Sequence, residues 1–518
     1  MPCWGVFLHT PPSQPSLAFL PTPPARLDAY RLCRLHRQPG IRQAFLGPSW
    51  AQQEMGHAAL GDARLTARLV LHLEKAAGSL EGTLTGMYHH DRAGRDAAYK
   101  FFENGRVSAD AIALAHARSV ALRCDPFPYV FVAVDGSSLA YEDPDGEKGL
   151  GSIGTRRSKA RGFKFMTALA VAPDGVPLGL LAQAWWLRSL KPAAKAHKHR
   201  PVEDKETRFW LQVSDEAQER LVGHAQPWFQ YDREGDSWPV LLAAVEQRDQ
   251  RWVTIRARSD RALMNDPQGQ DDSEPGGRVW AALQQAPVQA TYELDVPAAA
   301  KRKARRAHMT LRWREVTLRL TNNVTKTRSP ASVWAVWVCE EGTTPAGEKP
   351  LQWLLYTSYP IESVDDACLV LFGYAQRWRI EDFHAALKTR GCRVEDSLMR
   401  TEANLRRFAV TSTIVAVRLI RLVHLGRKHP ELPATVELTA MEEKVLRRAS
   451  DRADQERPLT VGQAVRELGD HGGHAGSYET NPLGFKVLGR GLDRVSGMVE
   501  FAQREEARRR SGSKGFLA

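Results

Sequence analysis

The chain has 518 residues, more than one hydrophobic core ordinarily serves, so two to four structural units are expected. With 43% hydrophobic residues and no unbroken apolar run of about 18, it is expected to be a globular protein that does not span a membrane. A net charge of +12 points to an anionic partner, nucleic acid first, and six cysteines without any two-residue-gap pair argue against a zinc site or disulfide framework and for a reducing cytoplasm.

Residues 1–49 hold prolines at 2, 11, 12, 15, 21, 23, 24, 39 and 48 and a single acidic residue, Asp28. Such a stretch cannot form a packed core and is expected to be a disordered extension. It lacks the cationic start and apolar run of a signal peptide. Residues 50–122 carry mainly helical periodicity. PYVFVAVD, 128–135, then reads as a buried strand closing on Asp135, followed by the turn-like GSSLAY. Further strands are expected near 163–172, 176–186, 225–232 and 251–258, with helices near 203–222 and 238–248. The strand AQPWFQYD closes on Asp232. Each aspartate taken alone is equally a turn former or helix cap. Between about 260 and 352, MTLRWREVTLRL and ASVWAVWVCE alternate as strands do. An apolar helix is expected from Leu405 to Leu425, then a polar region near 427–478 with a loop at Gly469–Gly476.

The densest constellation is YAQRWRIEDFHAALK, 374–388. At about 100° per residue, Tyr374, Arg377, Glu381 and Lys388 project within roughly 60° of one another on one helix face. A carboxylate flanked by two cations and a phenol suits a place where a metal ion meets phosphate, the carboxylate holding the metal and the cations the non-bridging oxygens. By spacing alone it is also an ordinary exposed face with an Arg/Glu pair four residues apart.

Taken together, these residues resemble the catalytic core of bacterial cut-and-paste DDE transposases of insertion-sequence family four, the group of the transposon-five enzyme. Asp135 in VDGSSLAY stands as the family's first acid. Asp232 opens the triplet Asp232, Arg233, Glu234, and Tyr374, Arg377, Glu381 and Lys388 stand as its Tyr, Arg, Glu, Lys signature. The resemblance runs over about 50–505. LGDARLTARL, 60–69, resembles the end-recognition domain, in which the position of Arg68 contacts transposon-end DNA. Arg256 resembles a strand arginine that reaches DNA. Trp353 stands where the family stacks an indole on an extruded base, although a lone Trp on an apolar strand also reads as core. LGFKVLGRGLDRVSGMVEF resembles a C-terminal helix that pairs two protomers. One departure is Ala385, where the family enzyme has a second lysine.

The resemblance implies an α/β, ribonuclease-H-like catalytic core with a β-rich insertion, a helical N-terminal DNA-binding domain and a helical C-terminal region. The implied boundaries are 1–49 extension, 50–122 end-binding domain, 123–400 catalytic domain with the insertion at 260–352, and 401–518 dimerisation region with a basic tail. Asp135, Asp232 and Glu381 would hold two Mg²⁺ ions, Mn²⁺ being a substitute. The partners would be double-stranded DNA, both terminal inverted repeats and target, and a second protomer, in a bacterial cytoplasm at the nucleoid. The expected activity is 3′ nicking, hairpin formation and opening, then strand transfer. Two alternatives stay beside it: a catalytically silent DNA-binding relic, and a stand-alone metal-dependent nuclease. The basic runs KPAAKAHKHR (191–200), KRKARR (301–306) and Arg508–Arg510 fit a DNA partner and fit a solvated surface equally. The pairs His89/His90 and His197/His199 lack a further residue at ligand spacing and read as surface.

Overall fold

Side-chain caps punctuate the first hundred described residues. Helices α1 (Trp50–Met55), α2 (Ala63–Gly78), α3 (Leu84–Met87), α4 (Arg92–Glu103) and α5 (Ala109–Cys124) each begin after a residue whose side-chain oxygen accepts a backbone N–H, namely Ser49, Asp62, Thr83, Asp91 and Ser108. The computed structural model describes residues 49–154, 159–190, 200–264, 275–298, 302–450, 457–478 and 483–514. The proline-rich stretch through residue 48 and the basic run 191–199, with His197 and His199, lie outside them.

The chain continues through β1 (Tyr129–Tyr141), β2 (Gly151–Ser152), β3 (Arg161–Val171), β4 (Pro177–Trp186), α6 (Arg208–Leu221), β5 (Gln226–Tyr231), α7 (Trp238–Glu246) and β6 (Trp252–Arg256). Then come β7 (Ala262–Met264), β8 (Pro275–Arg278), α8 (Val279–Gln284), β9 (Ala290–Val296), β10 (Arg305–Thr321), β11 (Arg328–Glu341) and β12 (Gln352–Thr357). Helices α9 (Val364–Gln376), α10 (Arg379–Leu387), α11 (Glu402–Lys428), α12 (Ala440–Ala449), α13 (Val461–His471) and α14 (Phe485–Lys514) complete it. The class is mixed α/β with a helical N-terminal region.

Two compact units divide the described residues: one drawn from those within 49–190, 208–227 and 376–514, the other from those within 200–207 and 228–375. In the first, β3 lies antiparallel between β1 and β4, with β2 on its opening residues. Helices α5, α6 and α11 pack on β4. Helix α11 is long and apolar enough to cross a membrane by composition, but 94% of its apolar window is buried inside the protein. It is the central core helix of this unit. In the second unit β5 and β6 run parallel, and β12, β11 and β10 follow antiparallel from β6. Strands β7 and β9 both pair with β10. The long β10–β11 hairpin realises the two alternating runs read from sequence.

Three expectations need correction. Strand β1 does not stop at Asp135; it runs on to Tyr141, because every residue from Phe131 to Tyr141 has a partner on β3, Asp135 standing opposite Thr167. Pairing overrides the weak strand propensity of GSS. The segment 374–388 is not one helix: α9 ends at Gln376, Arg377 and Trp378 form a turn, and Lys388 caps α10 with ψ of −79°. In the C-terminal region, helical as expected, the polar stretch 427–478 holds α12 and α13, each opened by a capping box, Thr439 with Glu442 and Thr460 with Gln463, and only its expected loop needs moving. Gly469 lies inside α13, so the loop begins later than expected.

Candidate active site

Alternation along β1 puts Asp135 and Ser137 on one face of the sheet. Asp135 is half-buried, and its Oδ1 accepts the Gly136 N–H at 2.7 Å, which fixes the carboxylate against its own backbone. From the turn before α10, Arg377 reaches across. Its Nη1 donates to Asp135 Oδ2 at 3.3 Å and its Nη2 to Glu381 Oε1 at 3.0 Å. One guanidinium, only 7% exposed, thus joins two carboxylates whose chain positions are 242 and 4 residues away. Glu381, on the first turn of α10, is 46% exposed.

Lys388 ends the same helix and donates from Nζ to Ser137 Oγ at 2.6 Å. Burial pulls its ammonium below the usual lysine range; Glu395 and Asp135 oppose that pull and Lys164 adds to it. His384, on α10 between Glu381 and Lys388, meets Phe165 edge-on at 5.5 Å. Burial, with the charges of Lys388 and Arg377, pushes it down to about 3, so the ring is neutral at ordinary pH. The structure therefore gathers Asp135, Arg377 and Glu381, with Lys388 beside them through Ser137. Ser137 and His384 escaped sequence reasoning. Ser137 had left a signal, since it follows Asp135 by two residues on the same strand face.

In the other unit, Asp232 directly follows β5 and accepts the Glu234 N–H on Oδ1 at 2.7 Å, an Asx turn. Tyr231 pairs with Ile255, so Asp232 and Arg256 stand at the same end of neighbouring parallel strands. Asp236, four residues on, is a structural residue: it is buried, pairs with Arg261 at 2.6 Å and accepts the Arg258 N–H. Trp353 on β12 is half-buried and lies edge-to-face on Tyr374, ring centroids 5.6 Å apart, and Tyr374 is itself buried. Arg305, from the basic run 301–306, is taken up internally by Glu340 and Glu348.

Arg68 lies half-buried on α2. Its charge acts on His72, which burial first and Arg68 second hold down to about 3 and which hydrogen-bonds Tyr88 at 3.1 Å. His89 and His90 are exposed, as expected of surface residues.

Asp135 and Glu381 offer hard carboxylate oxygens, the donor type that Mg²⁺ and Mn²⁺ take. Both are in contact with Arg377, so a divalent ion at this pair would require the guanidinium to yield one contact or both. Among the described residues, no group of three or more His, Cys, Asp and Glu side chains gathers as a metal-holding cluster. The donor chemistry of the pair fits such an ion.

Residues 48–107, the span of α1 to α4, match a family model described as transposase DNA-binding. The match supports a transposase, a DNA-processing protein with DNA as its partner.

Proposed function

We propose that this chain is a DDE-type transposase of the insertion-sequence family four kind, moving its element by cut-and-paste phosphoryl transfer on a ribonuclease-H-like core. The observation that carries the proposal is the sharing of Arg377 between Asp135 and Glu381, in a chain whose residues 48–107 match a transposase DNA-binding model. Three acids separated in sequence, two of them meeting at a phosphate-binding type of cation, are what metal-dependent cleavage of a phosphodiester needs.

Asp135, Asp232 and Glu381 would hold two Mg²⁺ ions. When bound, the ions make a water or 3′-hydroxyl nucleophilic near neutral pH and stabilise the departing oxygen. The protein's own side chains do the rest. Arg377, released from a carboxylate, clamps a non-bridging phosphate oxygen, and Lys388, already desolvated, adds a second charge-assisted donor. Tyr374 would offer a phenol to the same phosphate. Trp353 stacks on a base turned out of the duplex when the hairpin forms, Arg256 meets the backbone, and Arg68 on α2 contacts the element's end. Helix α14 carries the second protomer, giving a homodimer on DNA in the bacterial cytoplasm.

The test is cleavage of DNA duplexes carrying the sequences that flank the gene, with Mg²⁺ or Mn²⁺. Asp135→Ala, Asp232→Ala and Glu381→Ala should each slow cleavage by on the order of 10³-fold or more, since each ligand supports several kcal/mol of charge stabilisation. DNA binding without metal should be unchanged. Full cleavage by any of the three variants would sink the proposal, and cut ends never transferred to a second DNA would reduce the protein to a nuclease.

A further inference from the structure

Two acids stand side by side on α10, Glu381 and Asp382, and only one can face Asp135. At 100° per residue, Asp382 and Arg379 point 100° and 160° away from Glu381, toward the protein's interior. Asp382 Oδ2 is in hydrogen-bond contact with His424 Nε2 at 3.1 Å, a ring 97% buried on α11, and lies 3.8 Å from Arg379 Nη1. Arg379, 7% exposed, also donates from Nε to the carbonyl of Gly175 at 3.0 Å. Gly175 is the tip of the β3–β4 turn, with φ of +93°; a Cβ there would come within 2.5 Å of the Gln376 side chain. The back of α10 is therefore pinned at two successive turns, to a hairpin tip and to the core helix.

Resting on the catalytic role proposed for Glu381, we infer that Asp382, His424 and Arg379 are positioning residues: they fix the rotation of α10 so that Glu381, and not its neighbour, is presented toward Asp135 as the metal-binding carboxylate. Asp382 is the wrong acid for the metal because its charge is already committed on the far side of the helix. His424 acts through Asp382 on the rotation of the helix that carries the ligand, one step further out than a partner that touches the ligand itself. The arrangement explains why a helix of nine residues can hold a half-exposed glutamate in one orientation.

The experiment uses the full chain and Mn²⁺ as probe, with free Mn²⁺ followed by electron paramagnetic resonance, and cleavage of the gene-flanking duplex measured alongside. His424→Leu should weaken Mn²⁺ binding by about 10-fold, the low end of what losing a direct partner of a ligand costs, while metal-free DNA binding stays at the wild-type level. His424→Gln keeps an N–H that can reach Asp382 and should recover most of that loss. Asp382→Asn, which keeps a polar group beside Arg379 at a partly exposed site, should reproduce the loss if His424→Leu does not fold. Wild-type Mn²⁺ affinity in both His424→Leu and Asp382→Asn, with Glu381→Gln binding none, overturns the positioning role and leaves the catalytic proposal standing. Tighter binding in His424→Leu, through a released Asp382, overturns it too. Equal Mn²⁺ binding by wild type and Glu381→Gln would instead bring down the catalytic role, and the positioning role with it.

Discussion

At the end of α5, Arg123 grips a single carboxylate, that of Glu54, at 2.6 and 3.0 Å, and His116 closes on the same group at 2.6 Å; beside β1, Arg377 is divided between two carboxylates at 3.3 and 3.0 Å, one of them nearly half exposed. The ingredients are alike and the settings are opposite. Around Glu54 every charge has a dedicated partner: His116 Nε2 takes the Leu180 N–H, Arg123 Nε donates to the Leu178 carbonyl, and Ser119 donates to the Glu54 carbonyl. That cluster ties α1 to α5 and to β4. Around Arg377 one guanidinium reaches two carboxylates, at 3.3 and 3.0 Å, and one of the two is open to solvent. Losing a partner from the sealed cluster leaves an uncompensated buried charge, whereas the divided one has a member already exposed to water.

The sharpest way to break this contrast is to neutralise one acid in each setting. Glu54→Ala strands Arg123 and His116 in the interior and should cost about 3–5 kcal/mol of unfolding free energy, read by denaturant titration. Glu381→Gln removes a half-exposed charge and should change stability by less than about 1 kcal/mol, while abolishing metal-dependent cleavage. The sealed cluster also has an acid limit. Burial alone would raise Glu54, but Arg123 and His116 hold its carboxyl well below the ordinary 4.5. Its stabilisation is complete above that value and drains away as pH falls below it. Similar unfolding costs for the two variants would erase the distinction.

Two tryptophans of the other unit repeat the contrast at smaller scale. Trp228 is fully buried, donates from Nε1 to Thr254 at 2.9 Å and stacks on Tyr359 at 4.4 Å. Trp353 presents its indole half-buried, edge-on to Tyr374. Trp228→Ala should cost about 3–5 kcal/mol of stability. Trp353→Ala should cost less, yet raise the barrier to hairpin formation by about 1–3 kcal/mol over its effect on the first nick, as loss of a base-stacking platform does. Equal loss at both steps, or unfolding as severe as for Trp228→Ala, would make Trp353 a core residue.

How much of this was legible depended on whether the signal was local. Periodicity and turn residues located β3, β4, α6, β5, β6, α11 and the β10–β11 hairpin within a few residues, because each buries one face or both. The same reasoning ended β1 six residues early, since what extends it past Asp135 is pairing with β3 and not the propensity of GSS. It also ran one helix through the turn at Arg377 and Trp378, whose effect is to aim Arg377 at β1 instead of along a helix face. Asp135, Arg377 and Glu381 were found through a motif of charges in order. Asp382 and His424 were not, because they meet across 42 residues, which no spacing rule encodes, and Ser137 was missed although it follows Asp135 on the same strand face, its partner Lys388 lying 251 residues away.

The smallest effect concerns the other attachment of the β3–β4 tip, where His429 Nε2 meets Asp174 Oδ2 at 2.5 Å. The hydrogen bond to Asp174 raises His429 above its ordinary 6.5, and burial only partly opposes it. Asp174 is held below 3.8, burial opposing and His429 prevailing. The pair's contribution is therefore whole between about pH 3.8 and 6.5 and is lost as pH rises through the raised histidine value. Being partly solvated, it should amount to less than about 1 kcal/mol. Total stability will not show it, because His72, His384 and His424 are held down to about 3 or 4 by burial and run the opposite way, adding stability as pH rises toward 6.5. Those three rings are common to wild type and His429→Gln, so their slope cancels in the difference between the two. That difference should favour wild type at pH 5.5 and vanish by about pH 8.5; a gap that persists there would mean that packing around His429, not its charge, fastens the hairpin tip to α11.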